Sequence, residues 1–348
     1  MTHRINRAIE LLEQDQPIYY MGPHSGHVLT YEQGRKDART WADYINVGME
    51  HGSFDMAGLA EYMRGLVDGG PTASGHRTPA VIVELPVDAI DEASVRFNAW
   101  QMRQILGRGV HGLMLCQAES ADAVRAFVEC CRYPINLAGV DPSLPSPLER
   151  MRYGNRDYSD GADAVKRGGS TGSARAEAGA PQKGSGLTAR ADERMWLGVG
   201  ARGRGSEDTA APIWGVDHID YVERCDPWPL NRRGELLLGV KIESPEGVAR
   251  CDEILAVPGI GYAEMGPGDL GLSLGYLRGA PRNPYPPEMQ WAHEKIFAAG
   301  RRNGVAFLEG ATPDDIAKKI DAGVRVVAGG KEETARVGRA HSRRVMLV

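Results

Sequence analysis

The stretch Leu236–Tyr276, LLLGVKIESPEGVARCDEILAVPGIGYAEMGPGDLGLSLGY, constrains the fold of this chain most. Leu236 to Ile242 reads as a buried strand with Glu243 at its exit. Pro245 to Leu255 has apolar spacing suited to a helix. Gly259 to Met265 reads as a second strand, and Gly266-Pro267-Gly268-Asp269 turns out of it. A strand–helix–strand unit of this kind sets two parallel strands side by side, with both acids at their carboxyl ends. Parallel sheets, open or closed, bind ligands along that edge. Two carboxylates on short Gly/Pro turns suit a hard divalent cation such as Mg²⁺ or Mn²⁺.

The same alternation extends to the rest of the chain. Strands are expected at 17–21, 41–47, 79–85, 111–116, 236–242, 259–265, 304–308 and 324–328. Helices are expected between them, over 56–67, 92–106, 121–131, 289–303 and 312–322, with a basic terminal helix over 331–345. Eight strands alternating with helices predict a (β/α)₈ barrel forming one domain over residues 1–348. One segment breaks the pattern. Residues 134–195 begin irregular and Pro-punctuated, then become rich in Gly, Ala and Ser, with almost no aromatic or branched apolar side chains. Such a segment cannot bury much surface, and we read it as a flexible insertion between the fourth and fifth strands.

With 42% hydrophobic and 25% charged residues, the chain has the make-up of a soluble globular protein. A net charge of −5 gives no general attraction to nucleic acid or to an anionic membrane. No apolar run is long enough to span a bilayer. Cys116, Cys130, Cys131, Cys225 and Cys251 lack framework spacing, which predicts reduced thiols and a cytoplasmic setting. The expected partner is therefore a small molecule.

Two further places carry possible chemistry. The second strand exits through Gly48-Met49-Glu50-His51-Gly52, and a histidine there, beside a carboxylate, suits general acid/base work. The first strand exits through Gly22-Pro23-His24-Ser25-Gly26-His27. Its two histidines have no third ligand nearby, so this loop reads as polar connection.

The motifs Lys241-Ile242-Glu243 and Gly266-Pro267-Gly268-Asp269-Leu270, followed by Ser273-Leu274-Gly275-Tyr276, resemble the HpcH/HpaI aldolase family, the metal-dependent pyruvate aldolases related to the citrate lyase β chain. Glu50 and His51 match the family's Asp-x-Glu-His motif, and 200–206 (GARGRGS) resembles its Gly-x-Arg-Gly-x-Gly-Ser loop. The resemblance implies a (β/α)₈ barrel and a carbon–carbon lyase working on a hydroxy-oxo acid by way of a metal-bound enolate. It implies Glu243 and Asp269 as ligands of Mg²⁺, Mn²⁺ or Co²⁺, and His51, assisted by Glu50, as the proton-transfer group. It implies substrate contacts from Lys241, Gly266, Pro267 and Gly268. It also implies a homo-oligomer, a hexamer or trimer of dimers.

Three positions depart from the family pattern. Gly48 replaces its first Asp, Gly107 a later acid, and Glu84 the Arg that binds the keto-acid carboxylate. At about 4 Å and an effective dielectric of about 20, the attraction lost and the repulsion gained are each about 4 kcal/mol before screening. Arg202 or Arg204 is then expected to supply the missing positive charge, and Glu84 to take another role in the site. A second reading stays open: the same barrel and metal acting on a non-pyruvate substrate as a different lyase, decarboxylase or hydrolase. Tyr19 and Tyr20 of the first strand would suit a ring-bearing molecule.

Overall fold

The computed structural model describes residues 4–153, 195–282, 284–328 and 331–348. Nine parallel strands form its sheet: β1 (Ile18–Met21), β2 (Tyr44–Gly48), β3 (Ala80–Asp88), β4 (Gly112–Cys116), β5 (Pro227–Trp228), β6 (Leu236–Ile242), β7 (Tyr262–Met265), β8 (Ala306–Gly310) and β9 (Val324–Ala328). β1 pairs with both β2 and β9, and β4 pairs with β6, so the sheet closes. The closed ring holds eight strands. The two-residue β5 lies outside it, paired to the start of β6 through Pro227↔Leu236 and Trp228↔Leu237. This is the (β/α)₈ barrel expected from the alternation.

Every ring strand sends a side chain into one packed layer: Ile18 and Tyr20, Tyr44, Ile82, Met114, Leu237, Tyr262, Leu308 and Val326. Each buried Ile, Leu or Met there contributes about 1.5–3 kcal/mol. Ala8, Ile9 and Leu11, from the helix Arg7–Glu13 that precedes β1, join the same layer and plug the amino end of the barrel. Gly239 lies beside the Tyr262 ring, where a Cβ would fall 2.3 Å from Cζ, so only glycine lets that ring fill the interior.

The helices follow the expected pattern with local differences. The run 92–106 is two helices, Glu92–Phe97 and Ala99–Leu106, broken at Asn98, whose side chain donates to the Ser94 carbonyl at 2.9 Å. The run 245–255 is likewise two short helices, Pro245–Ala249 and Cys251–Leu255. An additional helix, Tyr31–Asp37, is capped by the Thr30 hydroxyl, which accepts from Gln33 N–H.

The chain divides into two compact units, residues 1–139 with 199–348, and Val140–Gly198. The first is the barrel. In the second, Val140 bridges Leu197 in parallel and a helix covers Pro147–Tyr153. The Gly/Ala/Ser-rich part of the expected insertion lies outside the described residues. All five cysteines are buried free thiols. Among the described residues no helix is long and apolar enough to cross a membrane.

Candidate active site

Side chains alternate along a strand, so the positions two residues beyond the packed layer also point inward. At this level, toward the carboxyl end, the barrel turns polar. Asn46 follows Tyr44, Glu84 follows Ile82, Cys116 follows Met114 and Glu264 follows Tyr262; Lys241 lies four residues past Leu237. All are buried.

Lys241 organises these groups. Its Nζ forms an ion pair with Glu50 and lies 3.5 Å from Glu84 Oε1. Burial opposes the ammonium charge, but Cys116, Glu84, Glu264 and Glu50 around it outweigh burial and raise its pKa. Glu84 Oε1 also accepts from His24 Nδ1 at 2.6 Å. Burial alone would raise Glu84. The His24 hydrogen bond and the Lys241 charge reverse that and hold it below the ordinary carboxylate range. The Glu84 contact in turn raises His24, against its partial burial.

Glu243 stands just past β6, where its Oε1 accepts the Gln117 N–H at 2.9 Å. Gln117, at the exit of β4, has φ 50°, a left-handed conformation uncommon outside glycine. Burial pushes Glu243 up to about 8, with Lys241 opposing and the Glu50 charge adding. Glu264 is pushed up to about 7, mainly by burial. The exit of β7 passes directly over Glu243, and a Cβ on Gly266 would fall 2.1 Å from Glu243 Oε2. Glycine is required there for the two exits to approach. Pro267 then opens the helix Pro267–Ser273, which carries Asp269 in its first turn. Gly268 faces open space.

Glu50 is common to two groups of ligating atoms. A carboxylate oxygen of Glu50, one of Asp269 and a His51 ring nitrogen lie within 4.8 Å of one another; so do atoms of Glu50, Glu243 and Cys116. His51 is half exposed, with Nε2 3.6 Å from Glu50 Oε2. Glu50, Glu243 and Asp269 offer the hard oxygen donors that Mg²⁺ or Mn²⁺ take. The acids here outnumber the nearby cations Lys241 and His24, and the Oε2 atoms of Glu84 and Glu264 are buried without a hydrogen-bond partner. This donor set fits a divalent cation.

Three expectations need correction. Arg202 and Arg204 do not reach this mouth. Ala201 and Arg202 donate their N–H groups to the Glu129 and Arg132 carbonyls at 2.9 Å, at the far end of the helix Ala121–Cys131. That helix begins near the exit of β4 and runs back, so its end lies at the amino face of the barrel. Arg202 is buried there, bonded to Cys225 Sγ at 2.8 Å and to the Ser206 and Tyr221 hydroxyls at 2.9 Å, with its guanidinium 4.5 Å from the Tyr133 ring centre. Arg204 is 82% exposed and pairs with Glu207. Lys241 is the cation that meets Glu84.

The aromatic pair Tyr19 and Tyr20 offers no open ring surface. Tyr19 is covered by the guanidinium groups of Arg339 and Arg344, and the Tyr20 ring packs on Tyr44 at 4.9 Å. The loop read as plain connection is more than that. His27 is structural, bonded to Asp37 and the Tyr62 hydroxyl, but His24 sits on Glu84. Glu264 was also not singled out from sequence, although the alternation Tyr262–Glu264 was a signal for it.

A family model described as HpcH/HpaI aldolase/citrate lyase matches residues 85–334. The hydroxypyruvate/pyruvate aldolase of Delftia acidovorans is 31% identical over 132 residues, covering 38% of this chain and 45% of that protein. A 2-keto-3-deoxy-L-rhamnonate aldolase of Escherichia coli is 36% identical over 135 residues, with the same 38% and 45% coverage. The chain thus spans under half the length of these relatives. In three dimensions it is similar to an HpcH/HpaI aldolase/citrate lyase family protein from Burkholderia cenocepacia, with TM-score 0.58 and 20% identity over 97% of this chain and 98% of that one. The HpcH/HpaI aldolase of Desulfitobacterium hafniense gives 0.56 and 18%, over 97% and 95%. At such identities the structural likeness speaks to the fold.

Proposed function

Because the chain belongs to the HpcH/HpaI aldolase/citrate lyase family, we propose that it is a divalent-metal-dependent lyase of aldolase type, cleaving or forming a carbon–carbon bond in a hydroxy-oxo acid. The observation that carries this reading is Glu50, whose carboxylate lies within 4.8 Å of ligating atoms of both Glu243 and Asp269. The names of the relatives, hydroxypyruvate/pyruvate aldolase and 2-keto-3-deoxy-L-rhamnonate aldolase, support a short 2-oxo acid as the shared product.

Glu243 and Asp269, with Glu50 beside both, would hold Mg²⁺, Mn²⁺ or Co²⁺. Such a cation, when bound, supplies Lewis-acid polarisation of a substrate carbonyl. The remaining work falls to the chain itself. His51, half exposed at the mouth, takes the proton of the hydroxyl group whose carbon–carbon bond breaks. Lys241 pairs with both Glu50 and Glu84 and offsets part of their charge. The turn Gly266-Pro267-Gly268 leaves open space over Gly268 for a substrate to lie against backbone. A homo-oligomer belongs to the same reading, and sedimentation of the purified chain tests it.

Glu243→Ala and Asp269→Ala should each lower metal-dependent aldol cleavage by about 10³-fold, as expected for loss of several kcal/mol of electrostatic stabilisation. A chelator should do the same to the unaltered protein. Full turnover in either variant, or in the chelator, overturns the reading.

A further inference from the structure

Two of the three departures from the family pattern, Gly48 and Glu84, meet at one residue, His24. A Cβ on Gly48 would lie 2.0 Å from the His24 carbonyl oxygen. An aspartate at position 48 and this course of the loop therefore exclude each other. The loop is pressed onto the exit of β2 through further glycines. A Cβ on Gly22 (φ 107°) would meet the Asn46 carbonyl oxygen at 2.1 Å, and one on Gly52 would meet Gly26 Cα at 2.7 Å. His24 is thus placed by backbone packing.

Its ring is then oriented by Glu84. An ionised carboxylate only accepts hydrogen bonds, so the 2.6 Å contact puts a proton on Nδ1. Nε2 is left to exchange a proton at the mouth, with the Tyr20 hydroxyl 3.3 Å away. The ring is 44% exposed while Glu84 beneath it is buried. An imidazole backed by a buried carboxylate is the arrangement of an oriented acid/base group. Lys241 ties Glu84 to Glu50, and Glu50 lies beside His51. The mouth therefore carries two histidine–glutamate pairs sharing one ammonium. Other charge facing His24 comes from Glu264 and Lys241.

We propose that His24 is a second proton-transfer residue, the group that protonates carbon after the bond breaks. This rests on the aldolase reading above. In cleavage of a 4-hydroxy-2-oxo acid, the hydroxyl proton passes to His51. The C3–C4 bond breaks as the C4 oxygen becomes an aldehyde carbonyl, and its electron pair passes into the C2–C3 enolate. C3 then takes the proton from His24 Nε2 and becomes the methyl group of pyruvate. His51 ends one proton richer and His24 one poorer. Exchange with water restores both, so no other reactant is needed. In the condensation direction His24 removes the methyl proton.

The test uses the full chain with Mn²⁺. It measures exchange of pyruvate methyl protons in D₂O, single-turnover aldehyde release, and reduction of hexacyanoferrate(III) by an enolate awaiting its proton. His24→Asn should slow methyl exchange by about 10²-fold or more, the usual share of a positioned acid/base group. It should leave aldehyde release within a few-fold and make hexacyanoferrate reduction appear. His24→Gln, which also lacks the imidazole, should behave the same and guards against a folding defect in one variant. Exchange at the unaltered rate in both variants overturns the proposal. So does an equal loss of exchange and aldehyde release in both, which marks a structural role. If the unaltered protein neither exchanges nor cleaves, the aldolase reading itself has failed, a result distinct from either.

Discussion

The two ends of the barrel bury charge in opposite ways. At the amino end, the fully buried Asp43 accepts from Arg344 at 2.7 Å and Arg339 at 3.3 Å, and Arg7 lies against its backbone carbonyl. Cations outnumber acids there, and the Ala42, Pro17 and Trp41 carbonyls accept N–H groups that Asp43 cannot. Beside β5, Arg132 grips Asp226 with two hydrogen bonds, 2.6 and 3.1 Å, out of contact with water. At the carboxyl end the balance is reversed: Glu50, Glu84, Glu243, Glu264 and Asp269 gather around Lys241 and His24. Several guanidinium N–H groups at the amino end donate to chain carbonyls, while Arg339 Nε, Arg344 Nε and Arg132 Nη1 are buried without a hydrogen-bond partner. Surplus carboxylates need N–H donors, and the parallel ladders have used most of theirs. Gln117 supplies one to Glu243 only by adopting a left-handed backbone. The amino end surrounds its buried acid with cations of the chain, whereas the carboxyl end gathers acids in excess of the chain's own cations, as a site that receives positive charge would.

The sharpest way to break this contrast is to remove one acid from each end. Asp43→Asn leaves three guanidinium groups around a neutral amide, and breaking such a buried network costs about 3–5 kcal/mol. Thermal unfolding should then drop by about 10 °C. Glu243→Ala should leave the melting temperature of the metal-free protein unchanged or higher, since it removes a repelled acid. If the two variants exchange these outcomes, the contrast is wrong.

A smaller effect is expected at Arg202. Arg202→Ala removes a buried cation stacked on Tyr133 and leaves the Cys225, Ser206 and Tyr221 groups short of a partner. The loss should be about 2–3 kcal/mol in urea unfolding, with KM for a keto acid unchanged in the folded fraction. A KM raised tenfold at unchanged stability would return Arg202 to the substrate.

The barrel, and the places of Glu243 and Asp269 just past β6 and β7, were legible because strand alternation and Gly/Pro turns are local signals. Leu236–Ile242 and Val324–Ala328 appear in the structure with the limits read from sequence. Lys241 and Glu243 sit at alternate positions after Leu237 and Gly239, so their inward direction follows from strand period alone. The error over Arg202 had a different origin. A glycine-spaced loop advertises exposed N–H groups, but its motif says nothing about which end of the barrel it occupies. That is decided by the helix Ala121–Cys131, whose far end the loop closes. His24 was missed because its partner Glu84 is 60 residues away, and because the glycine at position 48 that admits its loop looks, in sequence, like a loss.

The finest test concerns Glu243 and pH. Its carboxyl is pushed up to about 8 in the fold from 4.5 in a free chain. Between those values the unfolded chain has lost a proton that the metal-free fold retains. The unfolded state binds fewer protons, so stability falls as pH rises. This contribution is intact below about 4.5 and is lost progressively up to about 8. Glu243→Gln imitates the protonated acid and has no such slope. Glu264, pushed up to about 7, adds a fall of the same sign to both proteins and cancels in the comparison. In a chelator, the variant should therefore melt at a higher temperature than the unaltered protein, by a margin that widens from pH 5.5 to 8.5. With Mn²⁺ the order should invert at the alkaline end, because a cation binds the carboxylate and not the amide. Parallel melting curves in the chelator would mean that Glu243 ionises freely, and the shortage of positive charge at the mouth would be unfounded.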